Sequence, residues 1–134
     1  MPSILESSDD PFEIVDDPSS VSLFINVAAV RERQASILRD RLASLLAQGR
    51  TRIAVGVEPV SDLCSAALAA IVEASRACSL AGGSLALFGP SKDLRRLFRV
   101  TGLDDVVIVR RDRREALRAL DPSHRRLFSF RRAA

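Results

Sequence analysis

Ile53-Ala54-Val55-Gly56-Val57 constrains this chain more than any other stretch, because five small or apolar residues follow one another with no polar residue alternating among them. A strand wetted on one side alternates in polarity. One without alternation is covered on both sides, which is the condition of a parallel sheet sheltered by helices. The run breaks at Pro59, and Leu85 to Phe88 and Val106 to Val109 read as two further strands.

Between these runs the apolar spacing changes to that of helices. Leu38, Leu42, Leu45 and Leu46, with Arg39, Asp40 and Arg41 among them, predict an amphipathic helix closed by Gly49. Leu68, Ile71 and Val72 mark a second, running to about Leu80 before Gly82-Gly83. Ser91 caps a third, which carries Leu94, Leu97 and Phe98 and closes at Gly102. Asp112, with Glu115 three residues later, resembles a capping box and opens a fourth through Ala116, Leu117 and Leu120. Ahead of them, Phe12, Ile14 and Val15 and then Val21, Leu23, Phe24 and Ile25 flank a turn at Asp16 to Ser20 and predict a hairpin. The expected fold is α/β, a mixed and mostly parallel sheet of about five strands with about four helices and right-handed crossovers.

At 134 residues, with 47% hydrophobic and 28% charged, the chain suits one domain with one core. Six Phe and no Trp or Tyr leave few stacking platforms for single-stranded nucleic acid. The net charge of +3 hides a bipolar layout, with Glu6, Asp9, Asp10, Glu13, Asp16 and Asp17 preceding any basic residue and Arg crowding the end. The division expected is an acidic leader over 1–11, a domain over 12–120 and a basic tail over 121–134. No apolar run approaches the ~20 residues of a membrane span, and no secretory leader is visible at the start, so a cytoplasmic protein is expected.

Chemistry is scarce. His124 is the only histidine and has no Cys or carboxylate cluster about it, so no metal is expected. Gly82-Gly83 and Gly89-Pro90-Ser91 are not phosphate loops, since no Gly-Lys-Ser/Thr follows. Cys64 and Cys78 fall near opposite ends of one predicted helix, ~20 Å apart, too far for a disulfide; Cys64 is expected to be a small buried residue. With no nucleophile, base and orienting group together, neither an enzyme nor a cofactor is expected. The Arg-rich tail, with Leu127, Phe128 and Phe130, is expected to fold back on the domain in preference to binding nucleic acid.

Gly82-Gly83, Leu85-Ala86-Leu87-Phe88, Gly89-Pro90-Ser91 and Thr101-Gly102-Leu103-Asp104 stand in an order and spacing that resembles the STAS domain, the fold of bacterial anti-sigma factor antagonists and sulfate-transporter tails. Counting back from the glycines sets Cys64-Ser65-Ala66-Ala67-Leu68 on that family's Asp-Ser-Ser-Gly-Leu signature. The resemblance implies a regulatory protein that binds an anti-sigma factor, a kinase-like ATPase, and frees a sigma factor. It places the contacts on Val27, Ala28, Arg31, Ser61, Asp62, Cys64, Ser65, Ala66, Ala67 and Leu68. In regulated members the second serine of the signature is phosphorylated by the partner. Here that position is Ala66, so the usual off-switch is absent or has moved to Ser65 or Ser61. The alternative is a STAS scaffold subunit that assembles with other STAS chains, with itself or with a transport complex.

The same stretch can be read without the resemblance. A helix start leaves backbone N–H groups unpaired and partially positive, so a phosphate there is tolerated by the domain and acts on the partner. Serine is also a preferred N-cap, and capping by Ser65 or Ser61 is the expectation carried forward.

Overall fold

The computed structural model describes residues 10–122. The predicted hairpin is there, with β1 (Phe12–Asp16) antiparallel to β2 (Val21–Ile25) and Asp17 N–H donating to the Ser20 carbonyl at 2.9 Å in the turn. β4 (Arg52–Gly56) lies parallel between β2 and β6 (Ser84–Phe88), and β7 (Ile108–Arg110) lies parallel beside β6, so the sheet runs β1-β2-β4-β6-β7. Ile53, Ala54 and Val55 are each 0% exposed, as a strand covered on both faces must be.

The two faces are covered unequally. On one, Leu23, Ile53, Val55, Leu85 and Leu87 pack with residues of α1 (Glu32–Ala47), α2 (Ser65–Leu80) and α3 (Lys92–Thr101), among them Leu38, Ile71 and Phe98. On the other, Ala54, Ala86 and Phe88 meet Ala116 and Leu120 of α5 (Arg113–Leu120). Small residues in the strands let this short helix lie close. Arg113 fastens it, with Nε donating to Ser22 Oγ at 3.0 Å, the guanidinium reaching Asp17 Oδ2 at 2.7 Å, and its carbon 5.8 Å from the Phe24 ring centroid.

Helix ends follow the sequence signals closely. Arg50 N–H reaches the Leu45 carbonyl while Gly49 N–H reaches that of Leu46, and Gly83 and Gly82 repeat this on Cys78 and Ser79, the paired closure that needs a left-handed residue. Ser91 and Asp112 accept from Leu94 N–H at 3.1 Å and Glu115 N–H at 2.9 Å. Glu115 corrects the expected capping box, since its carboxylate takes the N–H of Arg111, one residue before the cap, at 3.4 Å.

Three further expectations are corrected. Val106 ends a short helix, α4 (Leu103–Val106), and the last strand begins only at Ile108, because Gly102 restarts a helical turn before the chain extends. The described residues thus hold five helices. Two-residue strands β3 (Ala29–Val30) and β5 (Asp62–Leu63) form a second small parallel sheet, too short for any periodicity to reveal. Asp10 and Pro11, assigned to the leader, are tied down: Asp10 pairs with Arg41 and accepts from Phe12 N–H, and Pro11 accepts from Asn26 N–H at 2.8 Å. The expectations for residues 1–9, His124 and the Arg-rich tail from 123 fall outside the described residues.

A β-carbon on Gly83 would lie 1.9 Å from the Thr51 carbonyl oxygen, whereas one on Gly82 (φ +87°) would meet nothing. Gly83→Ala should therefore destabilise by about 3 kcal/mol or more through forced backbone movement, and Gly82→Ala by about 1–2 through the left-handed conformation alone. Equal losses in urea unfolding would contradict this packing. Burial raises the Cys78 thiol from 9.0 to about 11. Its neutral form adds stability that is complete below pH 9 and fades as pH rises through about 11. Urea titrations over that window should show this loss in the parent and not in Cys78→Ala.

Candidate functional site

In the parallel part of the sheet every strand runs the same way, so β2, β4, β6 and β7 all end at one edge, and α1, α2, α3 and α5 all begin there. That edge is where open α/β sheets gather their sites. The small sheet is what shapes it. Ala29 pairs with Asp62 and Val30 with Leu63, joining the connection that leads into α1 to the one that leads into α2.

Backbone groups make most of the tie. The Ala28 carbonyl accepts from Ser61 N–H at 2.7 Å, Asp62 N–H at 3.2 Å and the Ser61 hydroxyl at 3.1 Å, and the Val30 carbonyl accepts from Cys64 N–H at 3.0 Å. Cys64 is thereby set in extended backbone (φ −72°, ψ 167°) as the residue before α2, and its carbonyl takes the N–H groups of Ala67 and Leu68.

No side chain caps α2, and no acidic residue occupies its first turn. The expected serine cap is thus corrected. Ser65 already belongs to the helix, and Ser61 spends its hydroxyl on Ala28. By contrast α3 and α5 are side-chain capped, so the partly positive start of α2 is left open at the surface.

The ten expected contact residues divide by depth. Ala28, Arg31, Ser61, Asp62, Ser65 and Ala66 are exposed, while Val27, Cys64 and Leu68 are half-buried. Ala67 is 0% exposed and is corrected to a core residue, because its position in the first turn points at the sheet. Cys64 is also corrected from buried to half-buried, its side chain packing on the edge of the core. Both cysteines are free thiols. Arg31 sits before α1, where its N–H donates to Gln34 Oε1 at 3.1 Å.

Sequence reasoning missed Glu58. It lies against Gly89, where a β-carbon would stand 2.3 Å from Glu58 Cγ, and so adds an exposed carboxylate to the same edge. The only signal was a charged residue placed directly after the apolar run. Among the described residues no group of His, Cys, Asp or Glu is arranged to hold a metal, and no helix is long and apolar enough to cross a membrane.

Comparison with known proteins places this geometry. No curated protein sequence matches the chain. TM1081 of Thermotoga maritima, a candidate anti-sigma factor antagonist, superposes with a TM-score of 0.76 at 24% identity over 81% of this chain and 93% of its own. The Bacillus cell fate determinant SpoIIAA in its phosphorylated form gives 0.65 at 19% over 82% and 99%. An anti-sigma factor antagonist from Mycobacterium paratuberculosis gives 0.73 at 16% over 81% and 92%. At these identities the likeness is one of fold. The sequence model of the STAS domain matches residues 23–116, from the middle of β2 into α5, and the chain belongs to the STAS domain family.

Proposed function

We propose that this chain is a regulatory binding protein of the anti-sigma factor antagonist type, which occupies a kinase-like anti-sigma factor and releases its sigma factor without the family's usual serine switch. The open start of α2 carries this reading. It presents Ser65 and Ala66 outward on a frame held by backbone hydrogen bonds, so its side chains are spared for a partner. The flanking Ala28, Arg31, Ser61 and Asp62 widen the contact to both connections. The fold shared with anti-sigma factor antagonists supports the class of partner, and members of that family act by binding and not by catalysis.

Ala66 stands where the second serine of the signature falls, so the partner finds no hydroxyl there. Binding that does not switch off by phosphorylation at this position is the consequence. The Ser65 hydroxyl has no hydrogen-bond partner among the described residues, which leaves it free to be a contact or a substitute acceptor.

Two experiments follow. Ser65→Glu adds a negative charge at a helix start, which favours the fold by about 0.3–1 kcal/mol, yet puts that charge in the proposed contact. Capture from the native cytoplasm should recover a kinase-like anti-sigma factor with the parent and at least tenfold less with the variant, at unchanged or slightly raised thermal stability. Recovery of only STAS chains or transport components, indifferent to the substitution, would establish the scaffold role instead. With the captured partner and ATP, Ala66→Ser should gain one phosphate at residue 66 and then release the partner. A variant that is phosphorylated elsewhere, or not at all, would show that the lost serine was not the switch.

A further inference from the structure

Lys92, Arg95, Arg96 and Arg99 recur along α3 at intervals of three and four residues, and all four are exposed. At 3.6 residues per turn they fall within an arc of about 100°, turned away from Leu94 and Phe98, which are 0% exposed and fix the helix to the core. Elsewhere Arg39, Arg41, Arg50, Arg111 and Arg113 each reach a carboxylate. Among the described residues none of the four cations on α3 does so. Asp93, the one carboxylate of the helix, lies to the side of the arc and joins no ion pair with them.

This stripe is locally unfavourable. Lys92 meets the partly positive start of the helix, and Lys92 with Arg96, like Arg95 with Arg99, sets two like charges at i,i+4, where they repel. A face that had only to stay soluble would mix the two signs. Four unpaired cations held against one another have a use when an anionic partner supplies the missing charge. We infer that α3 docks on the phosphate backbone of duplex nucleic acid, along one strand and without reading its bases.

Spacing selects this partner among anions. The rise from Lys92 to Arg99 is about 10.5 Å, so the cations average one per about 3.5 Å of helix axis, against one phosphate per about 3.4 Å on each strand of a duplex. Any duplex carries that ladder, whereas a protein would need carboxylates repeated at the same density. An anionic membrane would call for an apolar face entering the lipid beside the cations, and that of α3 is spent in the core, leaving only Val100 at 79% exposed. No aromatic side chain stands among the four cations, which suits phosphate contact with a stacked duplex and not the base stacking that holds single strands. The chain's net charge of +3 and pI near 9.6 favour approach to a polyanion.

The test is fluorescence anisotropy of the full chain on a labelled DNA duplex of about 20 base pairs, titrated between about 50 and 200 mM salt. With four phosphates engaged, log K should fall against log salt with a slope of at least about 3.6, and Arg95→Gln/Arg96→Gln/Arg99→Gln should make it shallower by about 2.7. Arg95→Lys/Arg96→Lys/Arg99→Lys, which keeps the point charges, should restore the slope, and Arg114→Gln/Arg118→Gln, exposed on α5, should leave it as in the parent. All variants should unfold at the parent's temperature, since the replaced side chains are exposed and unpaired. A parent that does not bind the duplex, or a slope indifferent to the glutamine variant, would overturn the proposal. Binding to vesicles containing anionic lipid in place of duplex would assign the stripe to a membrane, and loss of partner capture in the glutamine variant with no change in duplex binding would assign it to the protein partner; either result overturns the duplex contact. None of the four cations belongs to the contact set at the α2 start, so failure here leaves the reading under Proposed function standing.

Discussion

Parallel pairing of β2, β4 and β6 is the constraint from which the rest of the structure follows. Because β4 is buried on both faces, it needs a helical layer above and below: the parallel crossovers place α1, α2 and α3 on one face, and α5, after the last strand, covers the other. Parallel strands also end together, so the helix starts collect at one edge of the sheet. The site is a consequence of that topology before any side chain is considered.

At that edge the division of labour between backbone and side chain is unusual. α3 and α5 satisfy their starts with Ser91 and Asp112, as local rules favour. α2 instead relies on the β3 and β5 ladder, with Ala28 and Val30 carbonyls holding Ser61, Asp62 and Cys64. A helix that forgoes its cap departs from local optimisation, and such departures concentrate where a surface is kept for function. Here the departure leaves Ser65 and Ala66 free of structural duties.

Most of the architecture was legible in the sequence, for definite reasons. The unalternating run at Ile53 to Val57 fixed a central strand, and Gly49, Gly82-Gly83, Ser91 and Asp112 ended or began helices through chemistry that does not depend on distant contacts. What escaped was tertiary. β3 and β5 exist only because two remote connections meet, α4 depends on how Gly102 turns the chain, and Glu58 matters only through Gly89. The family pattern alone pointed to the start of α2 as the candidate site. Its depth was not legible: a periodicity that places Ala67 one residue from Ala66 cannot tell that one is sealed in the core while the other is open, nor that Cys64, and neither serine, precedes the helix.

The central claim is that the partner meets this chain at the α2 start, and photo-cross-linking in the native host tests it most directly. A photoreactive residue in place of exposed Asp62, beside that start, is compared with one in place of Leu80, 85% exposed at the far end of the same helix. The account predicts a covalent adduct with a kinase-like anti-sigma factor from position 62 and none from position 80. An adduct formed equally from both positions, or only from position 80, would contradict it.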